Sequence, residues 1–300
     1  MRLTGIHLLL TYQCNLECDH CFVWGGQWQV GTMTLPKLRN VLQQAIDLGT
    51  VKTIYFEGGE PSLYYATMLK GIQEATAMGF NAGIVSNGYW ATSEEDAFAY
   101  LAPLKGLIVD LSISSDQYHW FEELGENIQH IEKVAEELDI PIGVISIAQP
   151  EGVDAAEVVG TLPPGESGVM YRGRAAVNLV DKAKKHPWTQ FTECPYENLV
   201  DPGRLHLDAL GYLHICQGIS IGNMFETPLS EITSQYNPEA HPIVGPLLEE
   251  GPVGLAKRYD LAHEETYADA CHLCYEMRLV LRERFPDVLT PDQMYGVVGE

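Results

Sequence analysis

The sequence predicts an α/β protein: a partial (β/α)6 barrel of parallel strands followed by a small C-terminal α+β unit. Three observations carry this. Apolar runs alternate with helical periodicities six times between residues 3 and 172. Polar and glycine-rich segments follow the runs, at the strand ends where parallel sheets collect their chemistry. The alternation stops near residue 186. Six units are fewer than the eight of a closed barrel, so the expected sheet is open along one side.

Leu3 to Thr11 reads as a mostly buried strand. Thr34 with Pro36 opens a helix whose apolar face is Leu38, Val41, Leu42, Ala45 and Ile46, ending at Gly49. Further pairs follow: strand Val51 to Phe56 with helix Leu63 to Met78, strand Phe80 to Ser86 with a helix from Ser93, and strand Gly106 to Ser114 with helix Phe121 to Leu138. Strand Ile140 to Ala148, a short helix near Ala155 and strand Gly168 to Arg172 complete the core, taken as residues 1–185. Residues 186–300 form the second unit. It has a hairpin, Arg204 to Asp208 and Tyr212 to Cys216 around Gly211, a short helix Leu229 to Gln235, a Pro/Gly-bearing stretch Asn237 to Gly254 and a terminal helix.

Lys+Arg 18 against Asp+Glu 41 gives net charge −23, which repels a phosphate backbone and excludes nucleic acid as the expected partner. The same charge suits a cationic small substrate. Residues 3 to 10 are too short to span a bilayer and lack a cleavable leader, so a cytoplasmic protein without a membrane partner is expected. In a reducing compartment, 7 cysteines point to metal or catalysis.

Three of them, Cys14, Cys18 and Cys21, share one loop after the first strand. Three thiols cannot close a tetrahedral site, so one position of a bound iron-sulfur cluster stays open for a non-protein ligand. A partial zinc site, or a disulfide with a spare thiol, uses the same residues. The remaining four, Cys194, Cys216, Cys271 and Cys274, make a closed set, either a cluster or a zinc ribbon with His214 or His272 as substitutes.

Cys14-x3-Cys18-x2-Cys21, with His20 before the last thiol, resembles the signature of the radical S-adenosylmethionine (SAM) superfamily. Gly58-Gly59-Glu60-Pro61, one unit later, resembles its second hallmark, which binds the SAM amino group. The resemblance implies a 4Fe-4S cluster on the three thiols with SAM on its fourth iron. It further implies SAM ribose and carboxylate contacts from Asn87, Ser112 and Ser114, and pairing of the carboxylate with Arg172 or Arg174. Gly211-x4-Cys216, between Cys194 and Cys271-x2-Cys274, is similar to a twitch domain, the shortened SPASM extension, which carries a second 4Fe-4S cluster.

The implied chemistry is reductive cleavage of SAM to a 5′-deoxyadenosyl radical that removes a hydrogen atom from substrate, fed by a flavodoxin- or ferredoxin-type reductant. Oxidation of a polar small molecule, as in the alcohol dehydrogenases of aminoglycoside assembly, ranks first. Thiol-dependent epimerisation ranks lower because no eighth cysteine is present. Peptide modification ranks second: such enzymes often carry a leader-binding domain ahead of the core, and here the first strand opens at once. A non-catalytic two-cluster electron carrier would need neither barrel strands nor Gly58-Gly59-Glu60-Pro61. Glu57, just before the glycines, is the expected group to bind a cationic substrate or take a proton. Tyr64, Tyr65 and the terminal helix read as structural, and His272 as solvent-facing or adjacent to a ligand.

Overall fold

A computed structural model describes residues 1–119, 124–157 and 166–297. Its core elements are β1 (Gly5–Leu9), α1 (Leu35–Leu48), β2 (Thr53–Glu57), α2 (Tyr65–Ala77), β3 (Asn81–Ser86), α3 (Glu94–Leu101), β4 (Ile108–Ser114), α4 (Leu124–Leu138) and β5 (Ile142–Ile145). They follow the anticipated alternation, with ends trimmed by caps: Gly49 stops α1 in the left-handed region, and the Ser93 hydroxyl accepts the Asp96 N–H to start α3. The expected start of α4 at Phe121 lies outside the described residues.

Strands β1 to β5 are all parallel. Ile6, Leu8, Ile54, Phe56, Ala82, Ile84, Leu111 and Ile113 form one buried face of this sheet. Gly71 of α2 packs directly on Phe56 and on Leu38 of α1, so this is the face the helices cover. The other face carries His7, Tyr55, Gly83, Asp110 and Ser112. A barrel interior lined this way is polar.

Two expectations change. Gly168 to Arg172 is not a ladder strand; Ser167, just ahead of it, makes a single parallel bridge with Ile147 beyond β5. Near Ala155 there is a turn rather than a helix. After α5 (Ala175–Asn178) and the two-residue β6 (His186–Pro187), strand β7 (Arg204–Leu207) joins β1 in parallel on its free side. β8 (Tyr212–Cys216) and β9 (Ile219–Asn223) then add antiparallel, giving one eight-stranded sheet in the order β5-β4-β3-β2-β1-β7-β8-β9. The second unit thus extends the core sheet itself.

Helix α6 (Leu229–Gln235) matches expectation. The Pro/Gly-bearing stretch is instead largely α7 (Val244–Tyr259), broken at Glu250 and Gly251 ahead of Pro252. β10 (Thr266–Tyr267) pairs with β6, and α8 (Ala270–Leu281) carries Cys271 and Cys274 in its first turns.

Candidate active site

The three-thiol loop leaves β1 and is pinned from two sides. On one side the Gly58–Glu60 turn lies against it: Gly59 N–H donates to Thr11 O (2.7 Å) and Glu60 N–H to Gln13 O (2.8 Å). A Cβ on Gly59 would sit 2.2 Å from Gln13 O, so only glycine allows this approach. Gly25 sits between Gly59, Cys14 and Cys21, where a Cβ would be a tight fit at 3.2 Å from the Gly59 Cα. On the other side, Arg174 donates to Cys18 O (2.8 Å) and Gly25 O (2.7 Å), and its N–H to Cys21 O (2.9 Å). Gly173, at φ 61°, presses on the Cys21–Phe22 backbone. Arg174 therefore clamps the loop by its carbonyls.

Glu60 is fully buried, and its carboxylate is taken up by protein donors: Ser62 N–H (2.9 Å), Ser86 Oγ (2.9 Å) and Asn87 N–H (2.8 Å). Burial pushes its pKa up, against these bonds. The acid thus sets the β2 and β3 ends, and Pro61 begins the 3₁₀ turn that follows. It brings Asn87 to the thiols: Asn87 Nδ2 donates to Asn15 Oδ1 (2.9 Å), 3.8 Å from Cys14 Sγ. Asn87 and Ser114 line one cavity of about 270 Å³ with His119 and Asn127. Ser112 is outside it, donating to Asp110 (2.8 Å).

Beside the loop, His20 packs half-buried against Tyr118 and His119, and desolvation lowers its pKa to about 4. Asp116 joins His119 Nδ1 at 2.7 Å.

Glu57 lies inside the barrel between two imidazoles, His7 Nδ1 at 2.9 Å and His206 Nε2 at 3.2 Å. Burial would raise its pKa, but His206 and His7 outweigh that and hold it well below the ordinary carboxylate range. Neither histidine was singled out by sequence reasoning. Their signal is a polar residue at an inward position of a mostly buried strand, and the β1–β7 pairing that joins them is non-local.

Arg172 corrects an expectation. Rather than reaching a SAM carboxylate, its guanidinium is buried against Cys216 Sγ (3.2 Å) and Glu197 (3.3 Å). The left-handed turn at Gly173 between them (φ 61°) parts the two arginines, with Arg174 on the first thiol loop and Arg172 at the other thiols.

Those four, Cys194, Cys216, Cys271 and Cys274, line one cavity of about 410 Å³ together with Arg172 and Arg278. Gly251, at the break in α7, seats on Thr192–Glu193 and so positions Cys194. Asp269 caps α8 through His272 N–H (2.7 Å) and accepts Tyr171 N–H (3.2 Å), tying the arginine segment to Cys271. His214 does not line this cavity; it is bonded to Asp208 (3.0 Å), which also accepts from Tyr12. His272 is buried, accepting Ala268 N–H, which corrects its solvent-facing reading.

The donor chemistry fits iron-sulfur clusters at both places. Burial pushes the Cys14 and Cys274 thiols up to about 12, a cost to the thiolate form that metal coordination offsets. No described helix is long and apolar enough to cross a membrane.

Residues 8–149 match the family model of the Radical SAM superfamily. A Bacillus subtilis (strain 168) protein named for peptide biosynthesis, YydG, is 26% identical over 115 residues, 38% of this chain and 36% of its own length. The Pyrococcus furiosus tungsten-containing aldehyde ferredoxin oxidoreductase cofactor-modifying protein is 32% identical over 90 residues, 30% of this chain and 25% of its own length. The matched stretch thus spans about a third or less of those relatives. In fold, the chain resembles BtrN in complex with AdoMet and 2-DOIA, with TM-score 0.55 and 16% identity over 91% of this chain and 92% of that one. Native anSMEcpe with bound AdoMet gives TM-score 0.53 and 13% identity over 95% and 97%. The superfamily match over residues 8–149 takes in the three-thiol loop and the Gly58–Pro61 turn, and that superfamily implies a 4Fe-4S cluster and SAM.

Proposed function

We propose that this chain oxidises a polar, amine-bearing small molecule, with a second 4Fe-4S cluster on Cys194, Cys216, Cys271 and Cys274 as electron acceptor. In this reading residues 1–185 are the radical-generating core and 186–300 a twitch-like unit. Bound at Cys14, Cys18 and Cys21, the first cluster with SAM supplies a 5′-deoxyadenosyl radical by one-electron cleavage of the sulfonium. The substrate loses one hydrogen as an atom, and then a proton and an electron.

The protein's residues do the rest. Gly58 and Gly59 present backbone to the SAM amino group, and Asn87 and Ser114 offer polar contacts beside Cys14. Glu57 is an anionic group of the barrel interior, placed to hold the amine-bearing part of the substrate in the pocket. The observation that carries the reading is the four thiols around one cavity, whose wall residue Arg172 belongs to the segment that also clamps the first loop. Arg172 and Arg278 offset the negative charge of four thiolates there.

A second reading, peptide modification, draws support from the similarity to YydG. Reduced, reconstituted protein with SAM should be offered amino sugars and amino polyols in one arm and short peptides in the other. 5′-Deoxyadenosine with a small-molecule product lighter by two hydrogens supports the first reading. Turnover confined to peptides supports the second, and a product of unchanged mass overturns oxidation.

A further inference from the structure

The interior cluster His7–Glu57–His206 has a feature that an internal hydrogen-bonded triad does not explain. His7 Nδ1 and Glu57 Oε2 are hydrogen-bonded at 2.9 Å. Glu57 Oε1, by contrast, is buried with no hydrogen-bond partner, although His206 Nε2 is only 3.2 Å away. The ring nitrogen is close to the oxygen without being aimed at it. That leaves Glu57 Oε1 free to serve a third body.

We propose that His7, Glu57 and His206 bind a divalent transition-metal ion inside the barrel. Two imidazoles and one carboxylate are a donor set suited to ions of the zinc or iron(II) kind. The ligand atoms of the three residues all lie within 4.8 Å of one another. Atoms bound at about 2.1 Å to one ion stand about 3.0 Å apart at right angles and about 3.4 Å at tetrahedral angles. The 2.9 and 3.2 Å approaches of the two ring nitrogens to the two Glu57 oxygens are compatible with that spacing. The order of strands makes the set rigid: His7 sits on β1 between β2 and β7, in register with His206, and stacks on Tyr55 at 4.8 Å.

The side chains of His7, Glu57 and His206 keep 15%, 11% and 12% of their surface exposed, so the site is reachable from the barrel interior. Three protein ligands leave coordination positions open. An amine or hydroxyl of the substrate would enter one of them as a neutral ligand. The cation that Glu57 takes is then a metal, and the substrate reaches Glu57 through it. This holds whether the substrate is a small molecule or a peptide, and it does not depend on the second cluster.

The test uses zinc as the probe. Cluster-loaded protein is incubated with Zn²⁺, desalted, and assayed for zinc, iron and sulfide, with zinc X-ray absorption to identify the ligands. The expected result is one zinc per chain in a nitrogen and oxygen shell without sulfur. Glu57→Gln and His206→Gln should lower retained zinc about ten-fold or more while iron and sulfide hold, which also reports that the variants fold. No retained zinc, a sulfur shell, or unchanged retention in both variants overturns the site. If either variant loses iron, His7→Asn in the same assay decides.

Discussion

At the scale of single residues, the first site depends on backbone approach as much as on sulfur. Gly59 is the sharpest case, because a Cβ there meets the Gln13 carbonyl at 2.2 Å, with Tyr12 O at 2.7 Å. Gly59→Ala should therefore cost about 1–3 kcal/mol and reduce iron retained on the three thiols. Gly152→Ala, with nothing within 4 Å, should leave both unchanged. Urea melts and iron assays of the two variants check this. The sequence made Gly58-Gly59-Glu60-Pro61 legible as a motif, though not the division of labour inside it. Glu60 is buried under Ser62, Ser86 and Asn87, so its effect on SAM passes through the strand ends it fixes. Arg172 was misread because a strand-end arginine gives no sign of which of two thiol sets it faces.

At the scale of elements, local periodicity located the core well and failed where long-range pairing decides. Leu38, Val41, Leu42 and Ala45 announced α1, and the cap residues marked its ends. The parallel pairing of β7 with β1 joins residues some two hundred positions apart, and no local pattern records it. Helix α7 was missed because Gly251 and Pro252 read as loop; they are instead a break that lets Thr192–Glu193 pass. At the start of the same helix, His241 Nδ1 accepts the N–H groups of Ile243 and Val244 at 3.2 and 3.1 Å. Burial lowers its pKa below 6.5, so the folded state resists protonation there. The unfolded chain binds that proton more readily, and stability is lost as pH falls below about 6.5. The slope from one such group is at most about 1.4 kcal/mol per pH unit. His241→Asn keeps an acceptor that does not titrate and should flatten part of the decline between about pH 7 and pH 5.5, read from melting temperatures. An unaltered pH profile would show that the ring is not held neutral in the fold.

At the scale of the molecule, the segment Tyr171–Arg174 joins the two thiol sets, with Arg174 on the first loop, Arg172 in the second cavity and Tyr171 N–H on the Asp269 cap. The count of cysteines foretold two sets, and the fold adds that they share one sheet and one connecting segment. The charge of −23 agrees with an interior that presents His7, Glu57 and Asp110. What no pattern in the chain could give was the meeting of His7 with His206, since each is unremarkable on its own strand. The central claim is that Cys14, Cys18 and Cys21 leave one iron of their cluster open for SAM. Electron paramagnetic resonance of the reduced, reconstituted protein with and without SAM tests it most directly. The account predicts a SAM-dependent change in the cluster signal that Cys18→Ala abolishes; identical spectra with and without SAM would contradict it.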